Sequence, residues 1–284
     1  MRNFDEIETM AKSVGAKLIV RAKLGLIEDT FDLLKTMSSE GLMRLTENGI
    51  SSVVVDPAHV AMIGLSLDRH AFESYSGEPG FEFAIDFEEI CEVLRLASFS
   101  TQGQVASRDD IALLTIEEKD PGSQSLNMWT QKMHAKWSLP GSAGFSYPKI
   151  PNLGNNPFFA EFDVRAVDLL DAVYLSTGLQ DYAIFQMDGT DFKVSGETDT
   201  VEASSYVKIY HPRKQGPART LIPSEYLVNP LKLVNKTAHV HVKFGNNYPM
   251  IFDFPIDPES VAGLFMPWTY SATLYVAPRI ESEE

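Results

Sequence analysis

The chain reads as an α+β protein made of two topologically similar halves, each a sheet with two helices packed on one side. Three features predict this. The order strand, helix, strands, helix, strands runs through the first half and again through the second. Asn48-Gly49 and Asp188-Gly189 sit at corresponding places about half a chain apart. Each lies between alternating apolar runs, and such pairs supply the positive φ of a two-residue hairpin turn. Between the halves, residues 140–157 (PGSAGFSYPKIPNLGNNP) are dense in proline, glycine and asparagine, a composition of extended linkers. Self-similarity of this length marks a duplicated domain rather than a solenoid. The expected organisation is an N-terminal extension over 1–15, a first domain over 16–139, a connector over 140–157, and a second domain with its tail over 158–284.

The elements follow in order. Residues 1–15 read as a short helix or a frayed arm. Lys17–Lys23 alternates and reads as a strand, and apolar residues at helical spacing predict a helix over 26–37. Gly41–Leu45 and Ile50–Val55 flank the Asn-Gly turn. The stretch Ser52–Tyr75 (SVVVDPAHVAMIGLSLDRHAFESY) then breaks at Asp56-Pro57 and resumes as alternation. Ala61, Ile63, Leu65 and Leu67 take one face, and His59 is expected at the start of this strand. Phe81–Ile85 is a strand and 86–97 a helix, with Asp86 as N-cap and Glu89 three residues on. Ile111–Glu117 and Ser125–Leu139 are strands joined at Asp120-Pro121-Gly122. In the second half, strands are expected at 158–163, 182–187, 192–196, 204–210, 238–244, 249–256 and 273–278, with helices at 164–176 and 223–234. His211–Arg219 reads as a basic loop.

The chain has 284 residues and a formal net charge of −15, which argues against a surface built to grip phosphates. No apolar run reaches the ~18 residues of a membrane span, and the acidic N-terminus does not resemble a signal peptide. One cysteine, Cys91, excludes an intrachain disulfide, and the expected location is intracellular. No Gly-rich phosphate loop, GxSxG or HExxH is present. His239 and His241 share a strand face without an evident third metal ligand. The acidic pairs Glu28-Asp29 and Glu88-Glu89 sit on amphipathic helices as solvated faces. An enzyme of duplicated α+β fold acting near His239 and His241 is the least supported class. A scaffold or binding protein is expected, with no metal and no cofactor.

Val55-Asp56-Pro57-Ala58-His59-Val60, Leu65-Ser66-Leu67, Phe72-Glu73-Ser74-Tyr75, Asn247-Tyr248-Pro249-Met250 and the C-terminal Leu274-Tyr275-Val276-Ala277-Pro278-Arg279-Ile280-Glu281 resemble DNA sliding clamps of the PCNA family. Ile150-Pro151-Asn152-Leu153 resembles the interdomain loop of its archaeal members. The resemblance covers roughly residues 17–284 and leaves out the N-terminal arm. It implies the DNA clamp fold, with strands outside and helices lining the pore of a head-to-tail homotrimeric ring. Such a ring encircles duplex DNA, is loaded by a clamp loader, and tethers DNA polymerase and other replication and repair enzymes through a short client motif. By position, the client pocket would comprise Val55, His59, Ile150, Leu153, Pro249, Tyr275, Val276, Ala277 and Pro278. Buried core is the competing reading for Val276. Ring contacts would come from edge strands within Asn127–Leu139 and Thr200–Tyr210. Lys35, Arg95 and Lys232 match basic, DNA-facing helix positions. Glu28, Asp29, Glu92, Asp171 and Glu225 fall where such clamps more usually carry basic residues, which predicts a weaker grip on DNA. Arg213 and Lys214 are candidates for DNA or loader contact. A heterotrimeric or checkpoint-type clamp subunit with weakened DNA grip is the alternative.

Overall fold

The computed structural model describes residues 3–98, 107–120, 122–151, 153, 158–234, 238–255 and 270–279. They fall into two compact units. The first gathers 3–54 and Gly64–Lys149, the second Val55–Ile63, 150–255 and 271–279. No helix among the described residues is long and apolar enough to cross a membrane.

Unit 1 opens with α1 (Phe4–Ser13), so the arm is a helix. Asn3 caps it, its side chain accepting the Asp5 N–H, and Arg21 reaches both Asp5 and Glu8. Ile7 and Ala11, four residues apart, bury one face of α1 on Ile19 and Leu113, with Phe4 and Trp129 beside them. Ile19 lies on β1 (Leu18–Lys23). Its neighbours Leu18 and Val20 point the other way, towards Leu26, Ile27 and Phe31 of α2 (Leu24–Lys35). Both faces of β1 are therefore covered, one by α2 and one by α1.

Next come β2 (Glu40–Thr46), β3 (Gly49–Val55), β4 (Ala61–Asp68), β5 (Ser74–Gly77), β6 (Glu82–Asp86) and α3 (Phe87–Ser98). Then follow β7 (Ile111–Asp120), β8 (Ser123–Trp129) and β9 (His134–Ser138). One sheet runs β5-β1-β7-β8-β9, and in another β2 lies between β3 and β6. In β4, Ala61, Ile63, Leu65 and Leu67 are all buried, the face expected from the alternation. Asp86 accepts the Glu89 N–H at 2.9 Å, as the capping pattern requires.

One expectation needs correction in this unit. Ser125–Leu139 is not one strand but the hairpin β8–β9. The Thr130 hydroxyl accepts from the Lys132 and Met133 N–H groups, and the Thr130 N–H bonds the Met133 carbonyl. A threonine side chain thus makes a turn with no glycine or proline to announce it. Strand β5 has no separate signal in the sequence. It is held by the Tyr75 hydroxyl, which donates to the Thr46 and Gly49 carbonyls.

A void of about 40 Å³ remains between α2 and the sheets, lined by Leu18, Val20, Phe31, Ile50 and Phe83. The buried Thr30 hydroxyl borders it without a hydrogen-bond partner. Thr30→Val keeps the shape and removes the unpaired group. It is expected to stabilise the protein by about 1 kcal/mol, a rise in Tm of about 2–4 °C in a thermal melt. A lowered Tm would show that the hydroxyl is solvated.

Unit 2 comprises β10 (Ala160–Arg165), α4 (Ala166–Thr177), β11 (Tyr182–Asp188), β12 (Asp191–Glu197), β13 (Glu202–Tyr206), β14 (Ile209–Gln215) and β15 (Ala218–Pro223). α5 (Glu225–Leu233), β16 (His239–Phe244), β17 (Met250–Pro255) and β18 (Tyr270–Val276) complete it. One sheet runs β13-β12-β11-β15; in another the strands neighbour in the order β14-β10-β16-β17-β18. Phe162, Phe185, Phe192, Phe244 and Phe252 form the aromatic centre of its core, with contacting ring centroids 4.7–6.2 Å apart. Gly196 lets α4 lie close to β12, since a Cβ there would meet the Ser176 Cα at 2.8 Å.

The segment read as a basic loop, 211–219, is a strand pair that feeds two sheets. β14 joins β10, and β15 joins β11. A register shift between Glu161 and Asp163 and a φ of +43° at His211 mark a bulge in the β10–β14 pairing. The break in alternation hid the strand.

Candidate functional site

All nine residues of the expected docking site that lie in 55–60, 150–153, 249 and 275–278 belong to unit 2. Their arrangement starts from Asp56, which is only 4% exposed. Its Oδ1 accepts the N–H groups of Val60 (2.7 Å) and Ala61 (2.6 Å), and its Oδ2 accepts the Ala58 N–H (2.9 Å) and the Tyr226 hydroxyl (2.9 Å). The Asp56 N–H donates back to the Ala61 carbonyl, and the Asp56 carbonyl accepts the His59 N–H. His59 therefore does not begin a strand. It caps this turn at a φ of +57°, with its ring exposed. Asp56-Pro57 announced a break in the chain; the carboxylate cage gives the break its shape.

The turn is joined to the C-terminal segment. The Ala277 N–H donates to the Val60 carbonyl at 2.8 Å, and the Arg279 N–H to the Leu221 carbonyl at 2.8 Å. Arg279 also pairs with Asp181 at 3.0 Å and lies 4.8 Å over the Tyr182 ring. Strand register sets Met250 opposite Val276 and Ile251 opposite Tyr275, so Pro249 precedes the strand that flanks this end. The connector is tied in by the Tyr248 hydroxyl, which donates to the Leu153 carbonyl at 2.9 Å. Val55, Leu153, Pro249, Tyr275, Ala277 and Pro278 are part-buried, and Ile150 is 50% exposed. Val276 is fully buried, so its side chain packs in the core. Burial, with the charge of Asp253, raises the Tyr275 hydroxyl above the usual tyrosine range.

Sequence reasoning took Asp56 only as a break and passed over Tyr226. Burial first, then the hydrogen bond to Asp56, push the Tyr226 hydroxyl up to about 12. It remains a donor to that carboxylate at any physiological pH. The pairing spans 170 positions of sequence, and no local pattern reports it.

The basic helix residues are exposed in their own units. Lys35 ends α2, Arg95 lies near the end of α3, and Lys232 on α5 lies 5.4 Å over the Tyr174 ring. Exposed acids accompany them: Glu88, Glu89 and Glu92 on α3, Asp171 on α4 and Glu225 on α5. Glu28 and Asp29 differ from these, since Arg108 pairs with both at 3.0 and 2.6 Å. Part of the acidity read from the sequence is therefore neutralised locally.

Arg213 and Lys214 lie on β14 within 3.3 and 3.8 Å of Glu161. Asp163 accepts from or faces both His211 and His241, at 3.1 and 2.6 Å. Burial alone would raise the Glu161 carboxyl, but hydrogen bonds from Arg213 and His241 hold it below its usual range. Among the described residues, no group of three or more His, Cys, Asp or Glu side chains is arranged to hold a metal ion.

Comparison with known proteins bears on the chain as a whole. Residues 19–135 match the family model for the N-terminal domain of proliferating cell nuclear antigen. The DNA polymerase sliding clamp of Thermoplasma acidophilum is 26% identical over 261 residues, covering 90% of this chain and 96% of the relative. That of Methanosarcina mazei is 28% identical, covering 91% and 96%. Among solved structures, A. fulgidus PCNA with the C-terminal region of FEN-1 bound superimposes with a TM-score of 0.79 at 22% identity, over 94% of this chain and all of that one. A chain of the Sulfolobus tokodaii PCNA2–PCNA3 complex gives 0.72 at 19% identity, over 92% and 99%. With the N-terminal domain model matched over 19–135, relatives of one name aligned almost end to end, and solved PCNA structures superimposing over more than nine-tenths of the chain, the chain has the DNA clamp fold and is similar throughout to archaeal sliding clamps of the proliferating cell nuclear antigen family.

Proposed function

We propose that this chain is a DNA sliding clamp, a processivity factor that closes into a ring around duplex DNA and tethers polymerase and other replication and repair enzymes. The observation that carries the reading is a pair of open sheet edges of opposite charge. β9 is the outer strand of its sheet and exposes Lys136 and His134, with Lys132 in the turn before it. β13 is the outer strand of its sheet and exposes Glu202 and Tyr206, with Glu197 and Asp199 next to it. Unpaired edges invite strand addition, and opposite charges favour joining one edge to the other of a second copy. A heterologous contact of this kind closes into a ring when the rotation permits.

Clients would dock at the site of unit 2 formed by the candidate residues other than the buried Val276 side chain; the A. fulgidus relative has the C-terminal region of FEN-1 bound. Lys35, Arg95 and Lys232 would face DNA, with Arg213 and Lys214 as further contacts for DNA or a loader. Exposed acids on the same helices imply a shallow salt dependence and a hold on DNA that is mostly topological. In this reading the chain performs no reaction of its own. The second reading, a subunit of a mixed ring, draws on the PCNA2–PCNA3 pairing of the S. tokodaii relative. Solution mass separates the two: a trimer from this chain alone supports the first, a monomer the second.

The decisive test is polymerase processivity on primed circular DNA with a clamp loader, alongside binding of a FEN-1 C-terminal peptide. Stimulation and peptide binding are expected, and absence of both refutes the reading. His59→Ala and Pro278→Ala should each weaken the peptide about fivefold or more while the assembly keeps its mass. Unchanged affinity in both would remove these residues from the site.

A further inference from the structure

We propose that Tyr226 is a positioning residue for client docking, fastening the 55–60 turn to helix α5 through its hydroxyl. The proposal rests on the reading of 55–60 and 275–278 as the docking site. A buried carboxylate must have its lone pairs occupied, or it costs more than its turn gains. Three of the four donors to Asp56 are local N–H groups, those of Ala58, Val60 and Ala61. These define the shape of the turn without tying its carboxylate to any other element. The fourth donor, the Tyr226 hydroxyl, is the side-chain bond that ties this carboxylate to a distant element.

The consequence reaches both walls of the site. The Val60 carbonyl accepts the Ala277 N–H, so displacement of the turn carries the 277–279 segment with it. That segment is held a second time by the Leu221 carbonyl on β15, which runs directly into α5 through Ser224. The β15–α5 corner thus grips the turn through Tyr226 and the C-terminal segment through Leu221. The second grip is a main-chain bond. Only the first can be removed by a side-chain change that preserves the ring and its packing.

Tyr226→Phe deletes the hydroxyl and leaves Asp56 Oδ2 with the Ala58 N–H alone. The FEN-1 C-terminal peptide is expected to bind about five- to tenfold more weakly, chiefly through faster dissociation. Hydrogen exchange should quicken at the Ala58, Val60 and Ala61 amides and stay at the wild-type rate in β10 and β16. A merely structural role would lower Tm and speed exchange throughout unit 2 while leaving peptide affinity unchanged. Peptide bound equally well by wild type and Tyr226→Phe overturns this proposal alone. Failure of the wild-type chain to bind the peptide overturns the docking reading and this proposal with it.

Discussion

Gly49→Ala is expected to leave little folded protein, whereas Gly189→Ala is expected to be nearly silent. Both glycines close hairpin turns, after Asn48 and Asp188 respectively. Gly189 has a φ of +61°, in the left-handed region, and a Cβ there would meet nothing within 4 Å. Alanine should cost about 1 kcal/mol from backbone strain alone. Gly49 has a φ of +136°, and a Cβ there would stand 2.0 Å from the Leu67 carbonyl oxygen and 2.9 Å from the Arg69 nitrogen. The backbone around it cannot retreat. The Arg69 N–H is bonded to the Asn48 carbonyl at 2.6 Å, and the Gly49 carbonyl accepts both the Tyr75 and Thr46 hydroxyls. Strain and overlap together should exceed about 4 kcal/mol, a large part of the ~5–15 kcal/mol that holds a domain folded. Soluble yield and thermal unfolding of the two variants check this. A Gly49→Ala protein that melts within a few degrees of wild type would show that the turn can move.

The second large effect concerns assembly. Reversing Lys132 and Lys136 to glutamate would set acids on β9 against Glu197, Asp199 and Glu202 of a second copy. Like charges brought together at an interface cost several kcal/mol, so dissociation should strengthen about 100-fold or more. The wild-type chain is expected to elute with the mass of a trimer, and the double reversal as a monomer. Adding Glu197→Lys, Asp199→Lys and Glu202→Lys should restore the trimer, because the two edges have only exchanged sign. Raising the salt should weaken the wild-type assembly and narrow the gap between the variants. A reversed variant with wild-type mass would mean that these edges do not meet, or that their main-chain pairing outweighs the charges. Failed rescue with a monomeric double reversal would point to damage in β9 itself.

Much of the fold was legible because its signals are local. Alternation in 61–67 identified the buried face of β4, and Asp86 with Glu89 marked the start of α3. Helical spacing found α2, two residues later than it begins, because Leu24 and Gly25 close the preceding strand as readily as they open a helix. What escaped were features made by single side chains or by interrupted patterns. Thr130 forms the β8–β9 turn with its own hydroxyl, and the bulge at His211 breaks the alternation that would have revealed β14. Of the candidate docking residues, the sequence placed Val276 among candidates for contact or core. Zero exposure assigns its side chain to the core.

By itself, then, the sequence determined the α+β class, the duplicated order of elements, both hairpin turns and the stretch at Ser52–Tyr75. Each is a matter of backbone propensity and side-chain period within a few residues. Tertiary structure alone decided that Gly49 is locked while Gly189 is free, and that α1 covers the face of β1 opposite α2. It also decided that Asp56 is held by a tyrosine 170 positions away. These depend on which atoms the folded chain brings within a few ångströms of one another. Short-range repulsion, burial and hydrogen bonding act across that distance, whatever the separation along the sequence.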